Sequence, residues 1–101
     1  MNMNDSVKIS EDVILKIAET AALEVEGVLS AVSKNTKSGK AVAVTTLGDG
    51  LSVNIQLMYK DGFKIMDVSE KVQSHVSESI ENMTGTPVKA VNVTVVGISS
   101  K

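Results

Sequence analysis

The sequence predicts an α+β domain, a two-layer sandwich in which two helices pack on one face of a small mixed β-sheet. Three observations carry the prediction. Apolar residues recur at helical spacing in two separate stretches, while other stretches rich in Val, Ile and Thr alternate with the period of a strand. The second helical stretch lies between two strand-like ones, which makes a βαβ unit with parallel strands and a right-handed crossover. A hairpin just before that unit adds an antiparallel neighbour, and a sheet of mixed direction tolerates one face left open.

In chain order, Val7-Lys8-Ile9 reads as a short strand and Ser10 as the N-cap of the first helix, with Glu11 and Asp12 placed where the helix dipole favours negative charge. Val13, Ile14, Ile17, Ala18, Ala21 and Val25 form the expected apolar face, and Gly27 fits the C′ position. Val28 to Val32 is a short strand. Residues 33–40, Ser-Lys-Asn-Thr-Lys-Ser-Gly-Lys, are polar and without periodicity, hence a loop. Ala41 to Leu47 is a strand, Gly48-Asp49-Gly50 the hairpin turn. Leu51, Val53, Ile55, Leu57 and Tyr59 then point one way, Ser52, Asn54, Gln56 and Lys60 the other. Asp61-Gly62 ends that strand. The second helix shows a narrow stripe of Ile65, Val68, Val72, Val76, Ile80 and Met83, is stopped by Gly85 and Pro87, and leads into a last strand, Val88 to Ile98.

The whole chain of 101 residues is read as one domain, with residues 1–6 a flexible lead. Phe63 and Tyr59 are the only aromatics, so aliphatic side chains must fill the core. A net charge of −2, with acids and bases mixed along the chain, argues against a binder of nucleic-acid phosphates, which needs a basic patch. The absence of cysteine excludes disulfides and thiolate metal sites. Met1 to Ser6 lacks the pattern of a signal peptide, and no apolar run is long enough for direct membrane insertion, so the cytoplasm is the expected location.

The residues that carry chemistry elsewhere do not assemble here. His75 is the single histidine, and apart from Glu78 the positions near it on the helix offer no carboxylate to orient it. No G-x-S-x-G elbow occurs. Asp61, Asp67 and Glu70 follow no recognised cation-binding spacing and read as a solvated helix start. Lys34, Lys37 and Lys40 with Gly39 suggest a phosphate loop, but Lys34 stands where the P-loop needs its first glycine and Ala41 where it needs Ser or Thr. No G-x-x-G exists for a KH-type clamp. No catalytic residue, metal ligand or cofactor site is assigned, and the expectation is a non-enzyme.

Two surfaces stand out instead. Leu15, Ala22 and Leu23 fall outside the expected apolar face of the first helix, so either another element covers them or they form a second contact face. Asn54, Gln56, Asn92 and Thr94 belong to the open face of the sheet.

Several of these segments, in this order, resemble the bacterial alkaline-shock and general-stress protein family. They are Val7 to Val13, Ile17-Ala18, Glu24 to Val28, Tyr59 with Gly62, Val68, Val72-Gln73, Val76, Met83-Thr84-Gly85, and Val88 with Val91 to Val95 and Gly97-Ile98. The resemblance implies a non-enzymatic cytosolic protein of Gram-positive type, linked to cell-envelope homeostasis and stress. Some members self-associate and some are held at the membrane by a separate anchor protein, so the expected partners are proteins, itself or such an anchor among them. The family supplies no catalytic residues to carry over. Longer members have charged tails outside the domain, which this sequence lacks, so tail-mediated contacts are not expected. The competing expectation is a regulatory binder that reaches a metabolic enzyme or nucleic acid through its basic loop.

Overall fold

The computed structural model describes residues 11–33 and 39–100. The proposed Ser10 cap, the strand at Val7 to Ile9, the lead at 1–6, and Lys34 and Lys37 of the basic loop lie outside the described residues. Helix α1 spans Glu11–Leu23, strands β1, β2 and β3 span Val28–Ala31, Val42–Leu47 and Gly50–Lys60, helix α2 spans Ile65–Thr84, and β4 spans Val88–Ser99.

β3 is the spine of the sheet. β4 runs parallel to it along its whole length, from Leu51↔Val88 to Lys60↔Ser99, as a βαβ unit requires. β1 and β2 therefore share the other edge of β3, both antiparallel, β1 beside residues 57–59 and β2 beside residues 50–55. They are in effect one edge strand, interrupted between Ala31 and Val42. Gln56 spans the break: its carbonyl accepts from the Val32 amide, its own amide donates to Ala41, and its side-chain amide donates to the Val32 carbonyl at 3.1 Å.

Both helices lie on one face, α1 over β1 and β2 and α2 over β4, packed against each other. The core beneath them is aliphatic, as composition required: Val53, Ile55 and Leu57 of β3 meet Ala18 and Ala22 of α1 and Val72, Val76 and Ile80 of α2 in one cluster. No polar or charged residue is buried among the described residues. Small side chains on α1 let that helix approach closely, which is why a core with one tyrosine can still close.

Gly27 sits where chain segments crowd. Its φ is +103°, and a Cβ there would lie 2.7 Å from Val68 Cγ2 and 3.1 Å from the Phe63 ring. At the far end of α2, Gly85 takes the left-handed C-cap expected of it, φ +75°, its amide bonded to the Glu81 carbonyl.

Three sequence expectations need correction. On α1 the buried arc comprises Ile14, Ala18, Ala21 and Ala22, continued by Val25 just past its end, and it is rotated from the expected face, so that Val13 is 47% exposed and Ala22 0%. The rotation follows from the packing of α1 against α2 as well as against β1 and β2. On α2, Ile65 and Met83 lie on the core stripe yet stay exposed, at 42% and 69%, because they stand at the helix ends. The strand bounds shift by about a residue, as fraying ends do.

Candidate functional site

The open face of the sheet is set by register. Parallel pairing puts Asn54 beside Asn92, Gln56 beside Thr94 and Met58 beside Gly97. Antiparallel pairing adds Ala43 beside Asn54, Thr45 beside Ser52 and Leu47 beside Gly50, while Ser30 of β1 neighbours Met58. Nothing among the described residues covers this surface, whose side chains between its two ends are neutral. The Asn92 side-chain amide donates to Asn54 Oδ1 at 2.9 Å. Charge appears only at the two ends: Lys60 at one, and at the other Lys89, which crosses Gly50 to meet Asp49 at 3.0 Å. A solvated sheet face in a chain that is 22% charged normally carries lysine or glutamate along its length, whereas depletion of charge marks the centre of an interface.

Of the sequence candidates, the sheet therefore brings together Asn54, Gln56, Asn92 and Thr94. Asn54, Asn92 and Thr94 are exposed; Gln56 is half-buried and its amide is committed to the Val32 carbonyl, a job of holding the edge strand. The α1 candidates do not join them. Ala22 is fully covered in the core cluster, four positions from Ala18, and offers nothing to a partner. Leu15 is partly buried against the same core, and Leu23 alone is exposed, at 43%.

The histidine has a partner that sequence reading missed. Glu24, at the end of α1, places Oε1 2.8 Å from His75 Nε2, although the two are 51 positions apart. Helix packing makes this pair, and no local spacing could have shown it. It borders a groove of about 510 Å³ that also includes Glu26, Glu70, Lys71, Ser74 and Glu78. Both partners are well exposed, so the contact is a surface pair of about 0–1 kcal/mol. Among the described residues no three His, Asp or Glu side chains converge to hold a metal ion. Lys40, the described member of the basic loop besides Gly39, lies 3.7 Å from Asp12 of α1.

Among the described residues, Tyr59 is the one titratable side chain drawn into the core. It is 1% exposed, and its hydroxyl and that of Ser69 share a hydrogen bond of 2.8 Å. Burial pushes the phenol above its ordinary value of 10.0, and the Ser69 bond offsets part of that rise. Its place beneath α2 is structural.

Fold and surface together define an α+β sandwich with one helix-covered face and one open, charge-poor face. A family model matches residues 1–100, that of the alkaline-shock protein 23 family, described as having cell envelope-related function, and the chain belongs to that family. The uncharacterised protein YqhY of Bacillus subtilis is 29% identical over 102 residues, covering 91% of this chain and 76% of its own. The uncharacterised Spy1614 of Streptococcus pyogenes serotype M6 is 31% identical over 104 residues, covering 91% and 86%. Among solved structures, a MamM CTD variant superposes with a TM-score of 0.67 at 13% identity, covering 91% of this chain and 87% of that one. A zinc form of another MamM CTD variant gives 0.63 at 15% identity, covering 85% and 84%. At such identities these structures share the fold alone. No helix among the described residues is long and apolar enough to cross a membrane.

Proposed function

We propose that this chain is a non-enzymatic protein-interaction module of the cell-envelope machinery, working from the cytoplasmic side and docking through the open face of its sheet. The observation that supports this is the charge-free stretch centred on the Asn54–Asn92 pair, uncovered among the described residues and flanked by charge only at its ends. Binding by such a face uses shape and hydrogen bonds from small side chains, with little desolvation of charge to oppose it. Its family's cell envelope-related function supports an envelope-linked partner.

The test is affinity capture from the native cell with three baits: the wild-type chain, Asn54→Lys and Glu78→Lys. A lysine at the centre of the face should abolish capture of the specific partner, while one on the exposed flank of α2 should leave it intact. Equal capture by all three baits would place the docking surface elsewhere.

A further inference from the structure

We propose that the outer edge of β4 is a strand-addition site, which takes an extended, uncharged segment of another protein as one more strand of the sheet. This goes beyond docking through the open face, since it uses a different surface and main-chain hydrogen bonds.

Among the described residues β4 pairs with β3 alone, so its other side ends the sheet. The opposite edge is made of β1 and β2, short strands of four and six residues that offer little length for pairing. β4 runs for 12 residues without a proline, and from Ala90 to Ser100 no charged side chain deters a neighbour. Its register with β3 shifts between Val88 and Ala90 and again between Val95 and Gly97, which leaves Ala90 to Val95 as a regular stretch.

Backbone alternation shows which groups this stretch offers. Gln56 turns its amide and carbonyl toward the β1 and β2 edge, so Val53, Ile55 and Leu57 turn theirs toward β4. In a parallel ladder a residue that faces its neighbour stands level with one that faces away. Val91, Val93 and Val95, level with those three, therefore direct their amides and carbonyls out of the sheet. The Val91 carbonyl accepts from the Gln73 side-chain amide at 3.1 Å, and the Val88 amide donates to Glu81 Oε2 at 2.9 Å. Both caps come from α2. Among the described residues nothing caps Val93 or Val95, whose evenly spaced donors and acceptors match an added strand.

The same two caps fix how α2 lies along this edge: its numbers rise as those of β4 fall. Met66 is seven positions before Gln73, close to two full turns, and so shares its flank. At about 1.5 Å per helical residue and 3.3 Å per strand residue, Met66 stands about three residues beyond Val91, level with Thr94 and Val95. It is 75% exposed. An added strand would set an apolar side chain against this adaptable thioether, next to the two uncapped valines.

A second copy does not fit the edge. Antiparallel pairing of two β4 strands would hold their α2 helices over strands about 4.8 Å apart, closer than the about 8–10 Å at which helices pack. Parallel pairing about a two-fold sets identical residues level, where outward groups cannot interleave.

Amide hydrogen exchange in the labelled full chain, read by NMR, tests this with the uncharged peptide acetyl-Ser-Thr-Val-Thr-Val-Thr-Ser-amide as probe. In the free chain the Val93 and Val95 amides should exchange at least about tenfold faster than those of Asn92 and Thr94, which face β3. Peptide at about 1 mM should slow the Val93 and Val95 amides about tenfold. Met66→Asp should cancel that slowing and stay folded by circular dichroism, since an acid suits the first turn of a helix. Asn54→Lys, on the open face, should leave the slowing unchanged. Val93 and Val95 amides already slow in the free chain would overturn the proposal, and sedimentation would then assign the cover to a second copy or to another part of the same chain. No slowing by the peptide, equal slowing in Met66→Asp, or slowing lost in Asn54→Lys would each overturn it too.

Discussion

Replacing Gly27 by alanine should destabilise the domain more than any other single methyl added at a glycine with positive φ. Two costs coincide there. A φ of +103° strains any residue with a Cβ, at about 1–3 kcal/mol. The added methyl would also stand 2.7 Å from Val68 Cγ2, and Val68 is 3% exposed and cannot swing aside into solvent. Overpacking of this kind costs about 1–3 kcal/mol more. The sum, about 2–6 kcal/mol, compares with a total stability of about 5–15 kcal/mol for a typical domain. At roughly 4–8 °C per kcal/mol for a domain of this size, Tm should fall by at least about 10 °C. Gly62→Ala supplies the control, because Gly62 has a similar φ of +94° but nothing within 4 Å of the new Cβ. Melting curves of the two variants separate backbone strain from packing. Equal shifts for both, or a Gly27→Ala variant melting within about 4 °C of wild type, would refute the reasoning about the crowded turn between α1 and β1.

Three further outcomes are expected. Val72→Asp, at a position 0% exposed in the stripe of α2, buries a carboxylate without a partner and should abolish the cooperative melt seen by circular dichroism. Tyr59 is the only tyrosine, so its phenolate absorbance reports one site, and that titration should fall above 10.0. Since the folded phenol keeps its proton to higher pH than the unfolded one, its contribution to stability is whole below about pH 10 and is lost as pH rises through the folded value. Tyr59→Phe should remove that part of the alkaline loss. His75→Gln should move Tm by only a few degrees, because its pairing with Glu24 is a surface contact worth about 0–1 kcal/mol.

Most of the fold is legible in the sequence because its signals are local. The alternation from Leu51 to Tyr59, the Gly48-Asp49 turn and the Gly85 cap each depend on neighbours in the chain, and each forms as expected. The parallel pairing of β3 and β4 follows from the helix between them. The exact facing of α1 was not legible: Ala22 and Val13 are both small and apolar, and only the position of α2 decides which of them is covered. Nor was the union of β1 and β2 into one interrupted edge, held by Gln56, since that depends on contacts 24 positions apart. The open face was partly legible. Period-two spacing put Asn54 and Gln56 on one side of their strand, and Asn92 and Thr94 on one side of theirs, but only register could bring Asn54 and Asn92 to within 2.9 Å.

Docking through the open sheet face requires that a partner meet residues on that face in the cell. Site-specific photocrosslinking in the native cell measures this most directly, with the reactive side chain placed at Thr94 in one chain and at Glu78 in another. Both positions are exposed, one on the open face and one on the outer side of α2. Discrete protein adducts from Thr94, and none from Glu78, are the expected result. Adducts from Glu78 alone, or the same adducts from both positions, would contradict it.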